Sequence, residues 1–301
     1  MRSFIFLLFY GNIFYGICVI ALCIETNLQH QLPLNNLAFY LLVFTATFIY
    51  YTRVYYRSIF ETGSNQRTIW YRDHNTFIKS ALVSASIIVA AMLLFFVYKY
   101  KQLFLELSLK QWFVLAVFPL VAYLYTYKSF KIFRDRQLRG VGWLKPFCIG
   151  FAWSGLVTVY PVVFSQIQAG TTATMLQLPS VFFWMHNFLF ISALAIVFDI
   201  KDQNSDKRFH LNTYPALMGA TKTIWYLIIP LTVLSVALLT LHLLYRQAST
   251  AAIVIYIVPF VILLLVLSLL RKKRGILFYL VVIDGMMLFK GISGIVSNLY
   301  F

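Results

Sequence analysis

Apolar stretches recur along this 301-residue chain, each close to the roughly 20 residues a helix needs to cross a bilayer. They run over residues 3–24, 36–52, 77–98, 111–127, 146–168, 179–200, 222–244, 251–270 and 276–299, the second and fourth short enough to extend into their loops. In hydrocarbon the backbone must satisfy its own N–H and C=O groups, so these stretches predict helices rather than open strands. A transmembrane barrel would need alternating strands of about ten residues, and Ile87-Ile88-Val89-Ala90-Ala91-Met92-Leu93-Leu94 does not alternate. Composition agrees: 11% of residues are charged, against about 25% in soluble proteins, which excludes a water-soluble domain. Residues 3–24 follow Arg2 as a signal peptide would, but no small-x-small cleavage site follows, so they are expected to stay as the first helix.

The chain holds 25 Lys and Arg against 9 Asp and Glu. In a soluble protein that balance would suggest nucleic acid; between membrane spans it first reports topology. One set of alternate loops carries 20 basic residues: Arg2; Arg53, Arg57, Arg67, Arg72 and Lys79; Lys128, Lys131, Arg134, Arg136, Arg139 and Lys145; Lys201, Lys207, Arg208 and Lys222; Arg271, Lys272, Lys273 and Arg274. The opposite set carries 4, namely Lys99, Lys101, Lys110 and Arg246, and Lys290 lies within the last span. The asymmetry predicts nine spans with the N-terminus cytoplasmic, and a single integral-membrane domain over 1–301. Cys18, Cys23 and Cys148 have no metal-ligand spacing and are expected as packing residues. No Gly-rich phosphate loop and no nucleophile elbow is present.

With so few acids, their placement is informative. Asp199, Asp202 and Asp206 fall within eight residues at the end of the sixth span, spaced i, i+3, i+7. On a continuing helix that spacing puts three carboxylates on one face. Like charges so gathered repel, and a hard divalent cation such as Mg²⁺, which takes one or two carboxylates plus substrate phosphate oxygens, turns the repulsion into binding. The other reading is a solvated loop whose acids pair with Lys201, Lys207 and Arg208. The following segment, Phe209 to Gly219, reads as a short loop entering the seventh span, with Thr213 placed to cap it and Pro215 in its first turn.

The whole string, D-x-x-D-x-x-x-D, then Lys207-Arg208, then Thr213-Tyr214-Pro215-Ala216-Leu217-Met218-Gly219, resembles the second aspartate motif of the UbiA superfamily of intramembrane prenyltransferases. Nine spans with large loops after the second, fourth, sixth and eighth are similar to that family too, as is the Leu144-Lys145-Pro146 opening of the fifth span. The resemblance implies an all-α bundle of nine transmembrane helices. It implies transfer of a prenyl group from an allylic diphosphate to a lipophilic, often aromatic, acceptor in a cavity open to the bilayer. It further implies Asp199, Asp202 and Asp206 as Mg²⁺ ligands, Asp202 and Asp206 as catalytic, and Lys145, Lys207, Arg208, Arg53 and Arg57 as diphosphate-binding cations. The 29 Phe and 20 Tyr offer aromatic faces to line such a cavity and steady a carbocation.

The family's first motif, N-D-x-x-D-x-x-x-D, belongs where this chain has Ile49-Tyr50-Tyr51-Thr52-Arg53-Val54-Tyr55-Tyr56-Arg57-Ser58, and residues 31–60 contain no carboxylate. Three readings stay open. Arg53 and Arg57 hold the diphosphate directly by charge-assisted hydrogen bonds; one Mg²⁺ suffices, with Asp73 or His74 swinging in; or the chain is a catalytically degenerate or differently catalytic homologue that binds isoprenoid or another lipid. Within the spans, Asp284 expects a partner on a neighbouring helix, Lys290 is expected to snorkel, and no other acid is expected at depth. His186-Asn187 reads as an interhelical hydrogen-bond pair, and Pro161 and Pro230 as kinks.

Overall fold

The computed structural model describes residues 2–57, 66–126, 141–170, 178–270 and 274–301, the side chains of residues 2, 3 and 57 excepted. All regular secondary structure among the described residues is helical, with no strand. In chain order the helices are α1 Arg2–Tyr10, α2 Ile13–Gln29, α3 Leu37–Arg57, α4 Gln66–Asp73, α5 Asn75–Lys99, α6 Lys101–Glu106 and α7 Leu109–Thr126. Then follow α8 Lys145–Gln168, α9 Leu178–Arg208, α10 Tyr214–Met218, α11 Ala220–Tyr245, α12 Thr250–Leu269 and α13 Ile276–Tyr300. Eight of them (α3, α5, α7, α8, α9, α11, α12 and α13) are each long and apolar enough to cross a membrane, and α1 with α2 makes a ninth if the bent pair is one span. Most of these bounds fall within about five residues of the apolar stretches, because hydropathy and helix length respond to the same bilayer thickness, while α9 runs on to Arg208. Such helices make this an integral, multi-pass membrane protein.

α9 is the hub, packing most extensively on α8 and α11, while α2 lies between α3 and α13. α5 and α7 stand at the periphery and leave Phe77, Ile87, Leu94, Phe113 and Leu120 exposed. In lipid those side chains need no protein cover.

The first span is not continuous. It breaks at Gly11-Asn12 with a bend of 63°, and Asn12 takes the left-handed conformation at φ 61°, which asparagine tolerates better than most residues. The break strands carbonyls at the end of α1, and Arg67 of α4 meets them: Nη2 donates to Phe9 O at 3.4 Å, to Tyr10 O at 3.2 Å and to Asn12 Oδ1. Asn12 Nδ2 in turn donates to Thr52 Oγ1 at 3.1 Å and Tyr71 Oη at 2.7 Å. Burial pushes the Tyr71 phenol up to about 12, so it stays a neutral hydrogen-bonding group and does not cancel the arginine's charge.

Pro161 and Pro230, expected as kinks, sit two residues after π turns at Gly155–Val159 and Ile224–Ile228. Proline lacks the N–H and collides with the carbonyl four residues back; a wider i→i+5 turn accommodates that loss. A third π turn covers Tyr279–Ile283 and is followed by Asp284-Gly285, with no proline nearby.

Two sequence expectations are corrected at depth. Lys290 does not snorkel: it is wholly buried, with Nζ 2.9 Å from Glu25 Oε2, 2.8 Å from Glu25 Oε1 and 2.6 Å from Asn187 Oδ1. Glu25, placed just outside the first apolar stretch, is likewise wholly buried, because α2 continues to Gln29. A lysine at that height satisfies its charge by pairing rather than by reaching the interface. His186 and Asn187 do bond neighbouring helices, His186 Nδ1 with Ser235 O at 2.8 Å and Asn187 Nδ2 with Thr158 Oγ1 at 2.9 Å.

Candidate functional site at the head of helix α9

One end of the bundle gathers the last turns of α3, α7 and α9, the first turns of α8 and α13, and the short helix α4. They enclose a cavity of about 200 Å³. Its mouth carries Lys145, Asp199, Lys201 and Asp202; its walls are Tyr50, Tyr51, Tyr55, Ile149, Trp153, Leu194 and Phe198; Arg67 and Asp284 also reach it. Lining charge is therefore balanced in formal terms, three cations facing three carboxylates.

The carboxylates are there because α9 does not stop at the membrane stretch but continues as one helix to Arg208. Asp199 is buried, its Oδ1 ion-paired with Lys145 Nζ, while its Oδ2 has no hydrogen-bond partner. Asp202 is half-exposed and pairs with Lys201 at 3.2 Å. Asp206 is absent from the lining: Thr213 Oγ1 donates to its Oδ2 at 2.9 Å, and the Leu211 amide donates to its carbonyl at 2.9 Å. Thr213 thus closes the chain reversal after α9 and makes no side-chain cap on α10, correcting its expected role. The Thr213 hydroxyl spends its proton on Asp206, and no amide of α10 donates to its oxygen.

Lys145 is positioned by the segment before α8, where Gly142 lies against the backbone of the Asn212-Thr213 turn. A Cβ there would stand 2.5 Å from Asn212 C and from Thr213 N. Gly142→Ala is expected to lower stability by about 1–3 kcal/mol, since backbone must move to admit the methyl. A melting curve in detergent checks it.

The sequence-derived site residues divide cleanly. Asp199, Asp202 and Lys145 come together at the cavity. Lys207 and Arg208 are exposed at the end of α9, and Arg53 is exposed on α3, none of them lining it; the Arg57 side chain lies outside the described residues. Asp73 and His74 are exposed, with His74 stacked on Trp70 at 4.7 Å. In place of Arg53 the cation that reaches the cavity is Arg67, 1% exposed, its guanidinium 3.5 Å from the Tyr55 ring centroid and its Nε without a partner. Sequence reasoning counted Arg67 among loop arginines; the only signal that could have singled it out was Gly11-Asn12 inside an apolar stretch, a break that needs a donor.

Among the described residues no group of three or more His, Cys, Asp or Glu is placed to hold a metal ion. The donor set still fits a single Mg²⁺: an unpartnered, buried Asp199 oxygen and a half-exposed Asp202 supply the one or two carboxylates such an ion takes beside phosphate oxygens. Compared with protein-family models, curated proteins and solved structures, the chain matches none.

Proposed function

We propose that this protein is a UbiA-like intramembrane prenyltransferase, with nine spans, its N-terminus and its site on the cytoplasmic side. It moves a prenyl group from an allylic diphosphate to a lipophilic acceptor. The observation that carries the reading is the unpartnered buried oxygen of Asp199, beside Lys145, at the mouth of a cavity whose walls are aromatic and aliphatic. That polarity suits an amphiphile with an anionic head and an apolar tail. Orientation rests on the basic residues of alternate loops, three of which, Arg67, Lys145 and Lys201, line the cavity.

In this mechanism Asp199 and Asp202 would hold the metal, while Lys145, Lys201 and Arg67 aim positive charge at the diphosphate. Mg²⁺, when bound, neutralises charge on the departing diphosphate. As the C–O bond breaks, its electron pair goes to that leaving group, and fixed cations stabilise the charge without reorganising. Tyr51, Tyr55 and Trp153 present ring faces to the allylic cation, and the enclosed walls keep water from capturing it.

The test is diphosphate release from geranyl diphosphate by the purified protein in nanodiscs. Mg²⁺ is expected to support release, and EDTA or Asp202→Ala each to lower it by about 100-fold or more. Release that survives both removes the mechanism. A rise in melting point with Mg²⁺ and geranyl diphosphate but no release favours the second reading, a non-catalytic isoprenoid-binding homologue. Arg67 lends that reading weight, because a cation on the α3–α4 side can hold an anion without a second metal.

A further inference from the structure

The half of the bundle away from the cavity holds a second polar centre, gathered around the Phe183 ring of α9. The His30, His242 and His186 rings lie 5.6, 4.9 and 5.8 Å from it between centroids, and the Lys290 ammonium 4.9 Å. The three imidazoles share one arrangement. Each sets Nδ1 on a backbone carbonyl, which can only accept: His30 on Thr26 O at 2.9 Å, His186 on Ser235 O at 2.8 Å, His242 on Pro179 O at 2.9 Å. Nδ1 therefore carries the proton, and Nε2 of each neutral ring is a bare acceptor. All three Nε2 atoms are buried and without a partner, as is Tyr256 Oη. At Gly294 a Cβ would stand 2.6 Å from both Tyr256 Oη and Glu25 Oε1, so glycine keeps a space open between two oxygens. Among the described residues the imidazoles do not converge as a metal site. Buried polar atoms that the protein leaves over are met by ordered water, and histidine and acid side chains inside a membrane mark proton relays.

The groups follow the bundle inward. His30 closes α2 and His242 lies in the last turn of α11, their rings 5.7 Å apart. Arg246, partly exposed, covers this end by donating to Gln29 Oε1 and, at 3.1 Å, to Asn298 Oδ1. Glu25 stands five residues before His30 on α2, about 7.5 Å deeper by helical rise. Lys290 of α13, Tyr256 of α12, and the α9 and α11 histidines face it or its lysine, with Cys23 beside it on α2. Lys290 keeps partners even when Glu25 is neutral: Asn187 Oδ1 accepts at 2.6 Å, and the Phe183 and Tyr256 rings stand 4.9 and 5.9 Å from Nζ.

We propose that this centre is a proton-uptake site open to the end of the bundle opposite the cavity, with His30 and His242 as entry relays and Glu25 as terminal acceptor. A hydronium ion gives its proton to Nε2 of an entry imidazole and leaves as water. The imidazolium passes that proton through ordered water to a Glu25 oxygen and returns to the neutral ring. Glu25 becomes a carboxylic acid, and the ammonium stays charged on Asn187 and the two rings. The inference stands apart from the transfer reading, since none of these groups lines the cavity.

Infrared difference spectra of the protein in nanodiscs, recorded after a rapid step from about pH 8 to about pH 5, test it. Labelling glutamate with ¹³C moves the Glu25 band away from that of Asp284, which lines the cavity and accepts from Tyr15 Oη at 2.6 Å. A protonated glutamate C=O stretch is expected to grow in, and to be missing from Glu25→Gln. His30→Asn combined with His242→Asn keeps an N–H for each backbone carbonyl and removes both imidazole lone pairs. It is expected to slow the glutamate band about 10-fold and to leave the Asp284 band at its wild-type rate. No Glu25-dependent band, a band at the wild-type rate in the double variant, or equal slowing of both bands each overturns the proposal. Should the double variant not fold, His242→Asn alone is read in the same way.

Discussion

Lys290→Met is expected to destabilise the folded protein by about 3–5 kcal/mol, because it strands a buried carboxylate. Lys290 Nζ is the group that meets Glu25 and Asn187 Oδ1 together, and all three side chains are buried. Phe183 and Tyr256 surround the ammonium at 4.9 and 5.9 Å, so water has little access to replace it. Glu25→Gln in the same background is expected to restore most of the loss, since replacing both partners with neutral groups removes the charge problem instead of halving it. Reversible unfolding in mixed micelles measures both. A single mutant as stable as the wild type would show that the Glu25 carboxylate satisfies its charge without Lys290.

Arg67→Met carries the second large effect, and it acts through the backbone. The side chain stays long and apolar, so packing survives, but Tyr10 O and Asn12 Oδ1 lose their donor at a break in a membrane helix, and Phe9 O keeps only the Asn12 amide at 3.4 Å. Each unsatisfied buried carbonyl costs about 1–3 kcal/mol, and lipid supplies no water to compensate. The expected result is a loss of about 2–5 kcal/mol, with faster amide exchange concentrated in α1. Arg67→Lys is expected to recover only part of it, because the shorter side chain does not carry its ammonium to the place where Nη2 meets all three acceptors. Exchange unchanged in α1 would show that the bend is held by something other than the guanidinium.

These two residues also mark the limit of what the chain discloses before it folds. The spans were legible because bilayer thickness imposes a length on apolar runs, and each run has a helix over it. Asp199 and Asp202 were legible for a similar reason: scarce charge grouped at helical spacing. Asp206 shares that spacing but not the cavity, because the chain reverses just beyond it and Thr213 takes its oxygen. Spacing reports the face of a helix, and says nothing of what a returning loop lays across it. Glu25 falls just past the first apolar stretch, which stops at Ile24, yet Glu25, Thr26, Asn27 and Gln29 are all buried on α2. Polar pairing between α2 and α13 extends the span past its hydrophobic end. Arg67 was indistinguishable from its basic neighbours, because its role comes from a helix break more than fifty residues earlier.

The length of α9 sets the setting in which the site works. Its 31 residues rise about 46 Å, against about 30 Å of hydrocarbon. One end must therefore overtop the apolar slab, and Asp202, Asp206, Lys207 and Arg208 occupy such an end. On the proposed reading, an amphiphile bound beside them would keep its head among lipid headgroups and its tail at acyl depth, and would arrive by lateral diffusion in two dimensions. Occupancy then follows mole fraction within the membrane, not concentration in bulk water, so adding inert lipid dilutes the ligand even when the volume is unchanged.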